Sequence, residues 1–339
     1  MGLPMRAMGW IFALLGLLLT APAVAQGFPV AIEHALGTTT IAAAPKRVVS
    51  IGYIEQDFLY ALGVAPVGVR NWWGDYPYAT WPWAEPARAA LGATPEVMPG
   101  DEVNLEWVLS QNPDLIVAVY LDLDESTYAA LSKIAPVVAN PKDYPLWGAP
   151  WQVELQLIDR AISGSTAKAD AIIAGIDAKV AAVRAKYPEL EGKTGTNVYY
   201  DPAEGNFGAW GAEDTASRFI TSFGLVFPDA LDKLGDRDNR ITISPENLKL
   251  IDLDVIVWPI DSPIDRIKET VEAMELYQNL RLAKEGRSVW LDDGHGTFSG
   301  ALSFQSPLAI EYLLDTMPQM LATAADGDPA TAVTVPTTP

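Results

Sequence analysis

Cysteine is absent from all 339 residues. Its absence excludes disulfides, thiolate metal sites and a cysteine nucleophile. It also excludes the lipid-modified cysteine by which single-membrane bacteria tether exported proteins. Histidine is nearly absent, with only His34 and His295. A site for bare zinc or manganese needs several His and carboxylate ligands, and His34 lies too near the start of the expected mature chain for both to face one cleft. Basic residues are scarce, 23 Lys and Arg against 43 Asp and Glu, for a net charge of -20, which argues against nucleic acid as a partner. Catalytic phrases are missing too. There is no Gly-x-Ser-x-Gly elbow, and Gly205, Gly208 and Gly211 lack both the dinucleotide pattern and a P-loop lysine. Asp292, Asp293 and His295 on a Gly-rich loop come nearest to acid–base machinery, but no second histidine is placed to help. An exported hydrolase is therefore a weaker alternative, as is a non-transport interaction protein, and no enzymatic activity is expected.

Residues 1–25 carry Arg6 as their only charge, an apolar stretch from Trp10 to Leu19, and Ala23-Val24-Ala25 before Gln26. This is a signal peptide cleaved after Ala25, with an apolar core too short to span a bilayer. A cysteine-free exported chain fits the periplasm. Removing the peptide takes away one positive charge and moves the net charge from -20 to -21. About 310 residues remain, enough for two domains with sizeable cores. The end, 324–339, is rich in Ala, Thr, Pro and Asp without periodicity and reads as a disordered tail.

One phrase occurs twice. Val103-Asn104-Leu105-Glu106 is followed eight residues later by Asp114 and the run Leu115 to Val119; Ser244-Pro245-Glu246 is followed eight residues later by Asp254 and Val255 to Val257. Each copy reads as a short helix opened by a glutamate and then a buried strand. The repetition extends to Phe58-Leu59-Tyr60-Ala61-Leu62-Gly63-Val64 and its echo Phe219-Ile220-Thr221-Ser222-Phe223-Gly224-Leu225. Two similar α/β lobes with a cleft between them follow.

In the first lobe (26–150) strands are expected at Arg47 to Ile51, Val67 to Val69, Leu115 to Val119 and Val137-Val138, with a helix from Asp57 to Leu62 closed by Gly63. Strands alternating with helices imply a parallel sheet covered on both faces. Trp151 to Tyr187 is helical, interrupted at Gly164 and restarted by a Ser165 or Thr166 cap. Ile172, Ile173, Ile176, Val180 and Val183 form an apolar stripe. Roughly 22 residues at 1.5 Å each reach about 33 Å, enough to join one lobe to the other. The connection is placed at 151–188 and the second lobe at 189–323, with strands at Asn197 to Tyr200, Val255 to Trp258 and Ser288 to Leu291 and a helix from Thr215 to Phe223.

With these phrases in order, the chain resembles the periplasmic binding proteins of iron-siderophore ABC importers, the class with one long helix between its lobes that also includes vitamin B12 binders. The resemblance is carried by Pro45-Lys46-Arg47-Val48-Val49, Ala61-Leu62-Gly63-Val64 with Pro66-Val67-Gly68-Val69, Asn104-Leu105-Glu106 with Pro113-Asp114-Leu115-Ile116, and Ala301-Leu302-Ser303-Phe304 through Leu313-Leu314-Asp315. It implies a monomeric receptor that takes a ferric siderophore, uses no cofactor, leaves the iron to its chelator, and hands the cargo to a membrane permease with its ATPase. Cobalamin and haem are the alternative cargoes. A glutamate in the first turn of a helix is favoured by the helix dipole alone. In the resembling family this glutamate in each lobe pairs with permease arginines, which makes Glu106 and Glu246 docking residues.

Ligands of open α/β sheets sit beyond the carboxyl ends of the strands. Those ends carry Tyr53 and Glu55, then Arg70, Trp72 and Trp73, then Tyr120; in the second lobe they carry Tyr200, Phe207, Trp210, Trp258 and His295. Arg70 to Trp83 is the densest aromatic stretch, with Trp72, Trp73, Tyr76, Tyr78, Trp81 and Trp83. It reads either as a loop pinned by buried rings or as an exposed ligand surface. Arg70 can offer a forked pair of donors to chelate oxygens; Arg237 and Arg240, flanked by acids, rank behind it.

Overall fold

The computed structural model describes residues 27–100, 102–236, 239–260 and 266–337. The expected signal peptide and Arg237 lie outside them. The described chain opens on an antiparallel hairpin, β1 (Val30–His34) and β2 (Gly37–Ile41). His34 is buried within it. Its Nδ1 accepts from Leu36 N at 3.2 Å and its Nε2 lies 2.9 Å from Thr39 Oγ1, whose proton goes to the Val137 carbonyl. Burial holds the ring below the usual imidazole range.

Next come β3 (Val48–Ser50), α1 (Glu55–Ala61), β4 (Gly68–Arg70), α2 (Glu85–Ala90), β5 (Glu96–Met98), α3 (Leu105–Ser110), β6 (Leu115–Ala118), α4 (Glu125–Leu131) and β7 (Val137–Ala139). The five strands form one parallel sheet in the order β5-β4-β3-β6-β7. Its central strands are buried throughout, and β6 is an unbroken apolar run for that reason. α5 (Trp151–Ser163) ends at Gly164, whose φ of 75° is left-handed, and α6 (Ala167–Lys186) follows. Thr166 stands at the N-cap without a side-chain cap bond, and Ser165 Oγ, one residue before it, accepts from Ala167 N at 3.1 Å. The next two amides, of Lys168 and Ala169, donate to Asp159 Oδ2 on α5 at 3.0 and 2.9 Å. A carboxylate from one helix thus caps the next and sets the angle between them.

The second lobe holds β8 (Gly195–Asn197), β9 (Tyr199–Asp201), β10 (Asn206–Trp210), α7 (Thr215–Thr221), α8 (Asp229–Asp232), β11 (Arg240–Ile243), β12 (Val255–Pro259), α9 (Ile267–Glu272), α10 (Glu275–Gln278), α11 (Arg281–Lys284), β13 (Ser288–Leu291), α12 (Thr297–Ser303) and α13 (Pro307–Asp326). β13-β12-β8 is parallel, while β11-β10-β9 is a separate antiparallel sheet. The single strand expected at Asn197 to Tyr200 is therefore two, and the chain changes sheet at Val198. The duplication has a physical basis in this lobe pair. Asp114 accepts from Lys46 N and Arg47 N just before β3; Asp254 accepts from Thr194 N and Oγ1 just before β8. In both lobes the repeated aspartate clips the start of a neighbouring strand.

The lobes are not separate bodies on a hinge. One apolar core runs through α1 (Phe58, Leu59), α5 (Leu155, Ile158), α6 (Ile176), α7 (Phe219, Ile220) and α13 (Leu313, Met317, Leu321). Of the stripe on α6 only Ile176 is fully buried, with Ile172, Ile173, Val180 and Val183 half-covered on the same core. At 20 residues, α6 spans about 30 Å. α13 is equally long and packs on α1 of the first lobe as well as on β12 and β13 of the second, a second tie that the sequence pattern did not reveal. The expectation of a tail from 324 needs correction: Ala324 and Ala325 are buried in α13, and Val333 and Val335 lie against the shared core. Short apolar side chains at scattered positions gave no period to read.

Candidate ligand cleft

Three loops at the carboxyl ends of β3, β4 and β6 converge. Arg70, the last residue of β4, is 5 % exposed and lies over the Tyr53 ring, 4.5 Å from its centroid. Tyr53 stands 6.1 Å from Trp72 and 6.0 Å from Trp147. Tyr120 stands 4.6 Å from Trp147 and 6.3 Å from Phe304, and Trp72 meets Phe304 edge-on at 4.3 Å. Arg70, Tyr53, Trp72 and Tyr120 are thus brought together as the strand-end argument expects. Trp147 and Phe304 complete the group and were missed. Trp147 lies in the Pro-rich loop 141–150 with a left-handed φ of 65°, a half-exposed ring in a loop without period; Phe304 follows α12 and reaches the cluster only across the lobe junction.

The aromatic loop combines both of its expected characters. Trp81 and Trp83 are buried and stacked 4.8 Å apart, while Trp73 and Tyr78 are each 38 % exposed. Trp83 Nε1 donates to Asp57 Oδ2 at 2.6 Å, and Ser306 Oγ, at the start of α13, donates to the same oxygen at 2.9 Å. One buried carboxylate on α1 therefore holds both the loop and the other lobe. Burial pushes Asp57 up to about 6. The loop also rests on α12, where a Cβ at Gly300 would stand 3.2 Å from Trp81 and 3.3 Å from Trp73. Gly300→Val is expected to lower stability by about 1–3 kcal/mol through overpacking, with altered tryptophan emission; denaturant unfolding checks it, and an unchanged midpoint would mean that the rings yield freely.

Other predicted residues fall elsewhere. Tyr78 lies under the Arg88 guanidinium at 4.4 Å and joins no ring of the cluster. Phe207 and Trp258 are 1 % and 0 % exposed in the core of the second lobe. Trp258 stacks on Trp290 at 4.6 Å and donates to Ser288 Oγ. Both are packing residues and leave the ligand set: a strand end does not say which face a ring takes. Tyr200 and Trp210 are half-buried, with Arg240 over the Trp210 ring at 5.4 Å. His295 is exposed. Its neighbour Asp293 accepts from the backbone N–H groups of His295, Gly296, Thr297 and Phe298, so this carboxylate caps the start of α12. Among the described residues no group of three or more His, Cys, Asp or Glu could hold a metal ion. A cavity of about 430 Å³ lies among the joining helices, lined by Trp151, Ile176, Arg218, Phe219 and Gln305. It shares no residue with the aromatic cluster.

Glu106 is exposed in the first turn of α3, whose cap Asn104 accepts from Trp107 N at 3.0 Å. Glu246 is exposed in the first turn of the 3₁₀ segment Pro245–Ile251. Equivalent glutamates therefore sit at equivalent places on the two lobes, free of the cores.

Residues 48–293 match the family model described as periplasmic binding protein. The chain belongs to the periplasmic binding protein family. It is 27 % identical over 84 % of its length, and 85 % of the relative's, to a probable siderophore-binding lipoprotein of Bacillus subtilis. It is 30 % identical to a periplasmic solute binding protein of Mycobacterium smegmatis, with a TM-score of 0.75 over 87 % of this chain and 98 % of the other. PiaA of Streptococcus pneumoniae, solved in complex with ferrichrome, is 26 % identical with a TM-score of 0.75 over 88 % and 99 %. The two-lobed α/β fold agrees with the resemblance carried by the sequence phrases.

Proposed function

We propose that this periplasmic binding protein captures a ferric siderophore between its lobes and delivers it to an ABC importer. The observation that supports this most is the cluster of Arg70, Tyr53, Trp72, Tyr120, Trp147 and Phe304, in a family whose solved relative holds ferrichrome. Rings supply flat apolar contact to a bulky chelate, and the guanidinium supplies forked donors to its oxygens. Trp73, Tyr200, Trp210 and His295 are the further contacts, and Glu106 and Glu246 meet the permease. Export with cleavage after Ala25 into the periplasm, a monomeric state, and lobes at 26–150 and 189–323 joined by 151–188 complete the proposal.

Tryptophan quenching by a panel of ferric hydroxamates, ferric catecholates, ferric citrate, cobalamin and haem tests it. Saturable quenching by a ferric chelate and not by its iron-free form is the expected result. Tight binding of cobalamin or haem alone would change the cargo, and silence across the panel would overturn the proposal. Arg70→Ala is expected to weaken the bound chelate about 10- to 100-fold, the worth of a charge-assisted pair of hydrogen bonds. Arg70→Lys should recover only part, because an ammonium has no fork.

A further inference from the structure

Glu55 is an acid buried at 1 % exposure directly behind the cleft. Its Oε1 accepts from Tyr120 N at 2.7 Å and its Oε2 from Ile54 N at 3.1 Å. Tyr53 N donates in turn to the Tyr120 carbonyl at 3.3 Å. β3 and β6 are ladder partners up to Ser50 and Val117, and Ile51 N still reaches the Val117 carbonyl at 2.9 Å. Beyond that point the regular pairing ends, and the bond from Tyr53 N to the Tyr120 carbonyl links the two loops. The carboxylate adds a second link between the loops that carry Tyr53 and Tyr120. Room for it is specific: a Cβ at Gly52 would stand 1.8 Å from Oε1 and 2.2 Å from Oε2, so the side chain folds back over a backbone that only glycine leaves open.

We infer that Glu55 is a positioning residue for the ligand cleft, a staple that sets the separation and tilt of the Tyr53 and Tyr120 rings and so their fit to a flat, ring-contacting chelate. This rests on the functional proposal above only for the ligand, not for the staple. The groups facing it are known. Burial, with the nearby Glu55 carboxyl, holds Glu154 on α5 well above the usual carboxylate range, while Arg218 on α7 opposes that rise. Burial, with the nearby carboxyls of Glu154, Asp214 and Glu55, raises the Tyr120 phenol. Burial pushes Glu55 itself up to about 7, against the pull of its backbone donors. A hydrophobic residue of the same size would leave two buried N–H groups without acceptors.

The test uses the full chain labelled with ¹⁵N-tyrosine and, separately, 3-fluorotyrosine, with ferrichrome as the ligand probe. In the wild type the Tyr120 amide signal should titrate with a midpoint near neutral pH. In Glu55→Gln, where an amide NH₂ faces one of the two N–H donors, that titration should vanish. The Tyr53 and Tyr120 ring signals should move while Tyr277, in the second lobe's core, stays in place. Ferrichrome affinity should fall about tenfold in both Glu55→Gln and Gly52→Ala. Unmoved ring signals in Glu55→Gln would overturn the staple. So would unchanged affinity in both variants with a wild type that binds. If the wild type binds no ferric chelate, the functional proposal fails by itself and the ring signals still decide the staple.

Discussion

Alanine at both Glu106 and Glu246 is expected to abolish uptake of the ferric chelate while leaving its affinity for the receptor unchanged. Both carboxylates are exposed on helical first turns, away from the aromatic cluster and from either core. Surface substitutions of this kind shift stability by no more than about 0.5 kcal/mol, so folding and chelate binding should survive. Productive docking should not. A binding protein with two similar lobes presents two similar contacts, and losing both removes the charge complementarity that sets register on the permease. Single substitutions should each leave a reduced rate. The check pairs uptake of radiolabelled iron, in cells that lack their own copy of the protein, with quenching titrations of the purified variants. Persistent uptake, or a parallel loss of affinity, would contradict the docking assignment.

Stability should fall as pH rises from about 4 to about 8. Glu55 and Asp57 are fully buried carboxyls whose values burial lifts to about 7 and about 6, from 4.5 and 3.8. A carboxyl raised in the folded state binds its proton more tightly there than in the unfolded chain. Its contribution is therefore present in full below pH 4 and is lost as pH climbs through the folded value. At about 1.4 kcal/mol per unit, each group accounts for about 3 kcal/mol over that window. Urea unfolding at a series of pH values measures it. Glu55→Gln with Asp57→Asn should make the profile shallower, since neither amide ionises, leaving the share of buried Glu154. A wild-type profile that rises toward pH 8 would show that the two acids are ionised without penalty.

The parts of the fold that could be read in advance were those where burial and pattern coincide. Leu115–Ala118 and Val255–Pro259 are apolar throughout because helices cover both faces of their sheets. Elements at an edge left no such trace. β5 offers Glu96, Val97 and Met98, with only Met98 buried; in the β1–β2 hairpin three of the five residues of β2 are threonine. The β9–β10 hairpin did carry a local signal, Asp201 to Gly205, where Gly205 has a φ of 68° and Asp201 Oδ1 accepts from Ala203 N and Glu204 N. An aspartate opening a turn that glycine closes is readable chemistry, and it separates the strand at Tyr199 from the one at Asn206.

By itself the sequence determined the two-lobed α/β class, the placement of Arg70, Tyr53, Trp72 and Tyr120 at strand ends, and the matching glutamates, because each depends on local composition or on spacing within one element. Only the tertiary structure decided which rings gather at the strand ends and which fill a core. Trp72 follows β4 and Trp258 lies near the end of β12, yet one meets Phe304 from the other lobe and the other stacks on Trp290 within its own. It likewise decided that Asp57 holds the aromatic loop to α13 through Trp83 and Ser306, and that the two lobes share one core. These contacts join residues up to 249 positions apart. No local periodicity encodes such a separation; it is set when the helices of both lobes pack to exclude water from the same apolar surface.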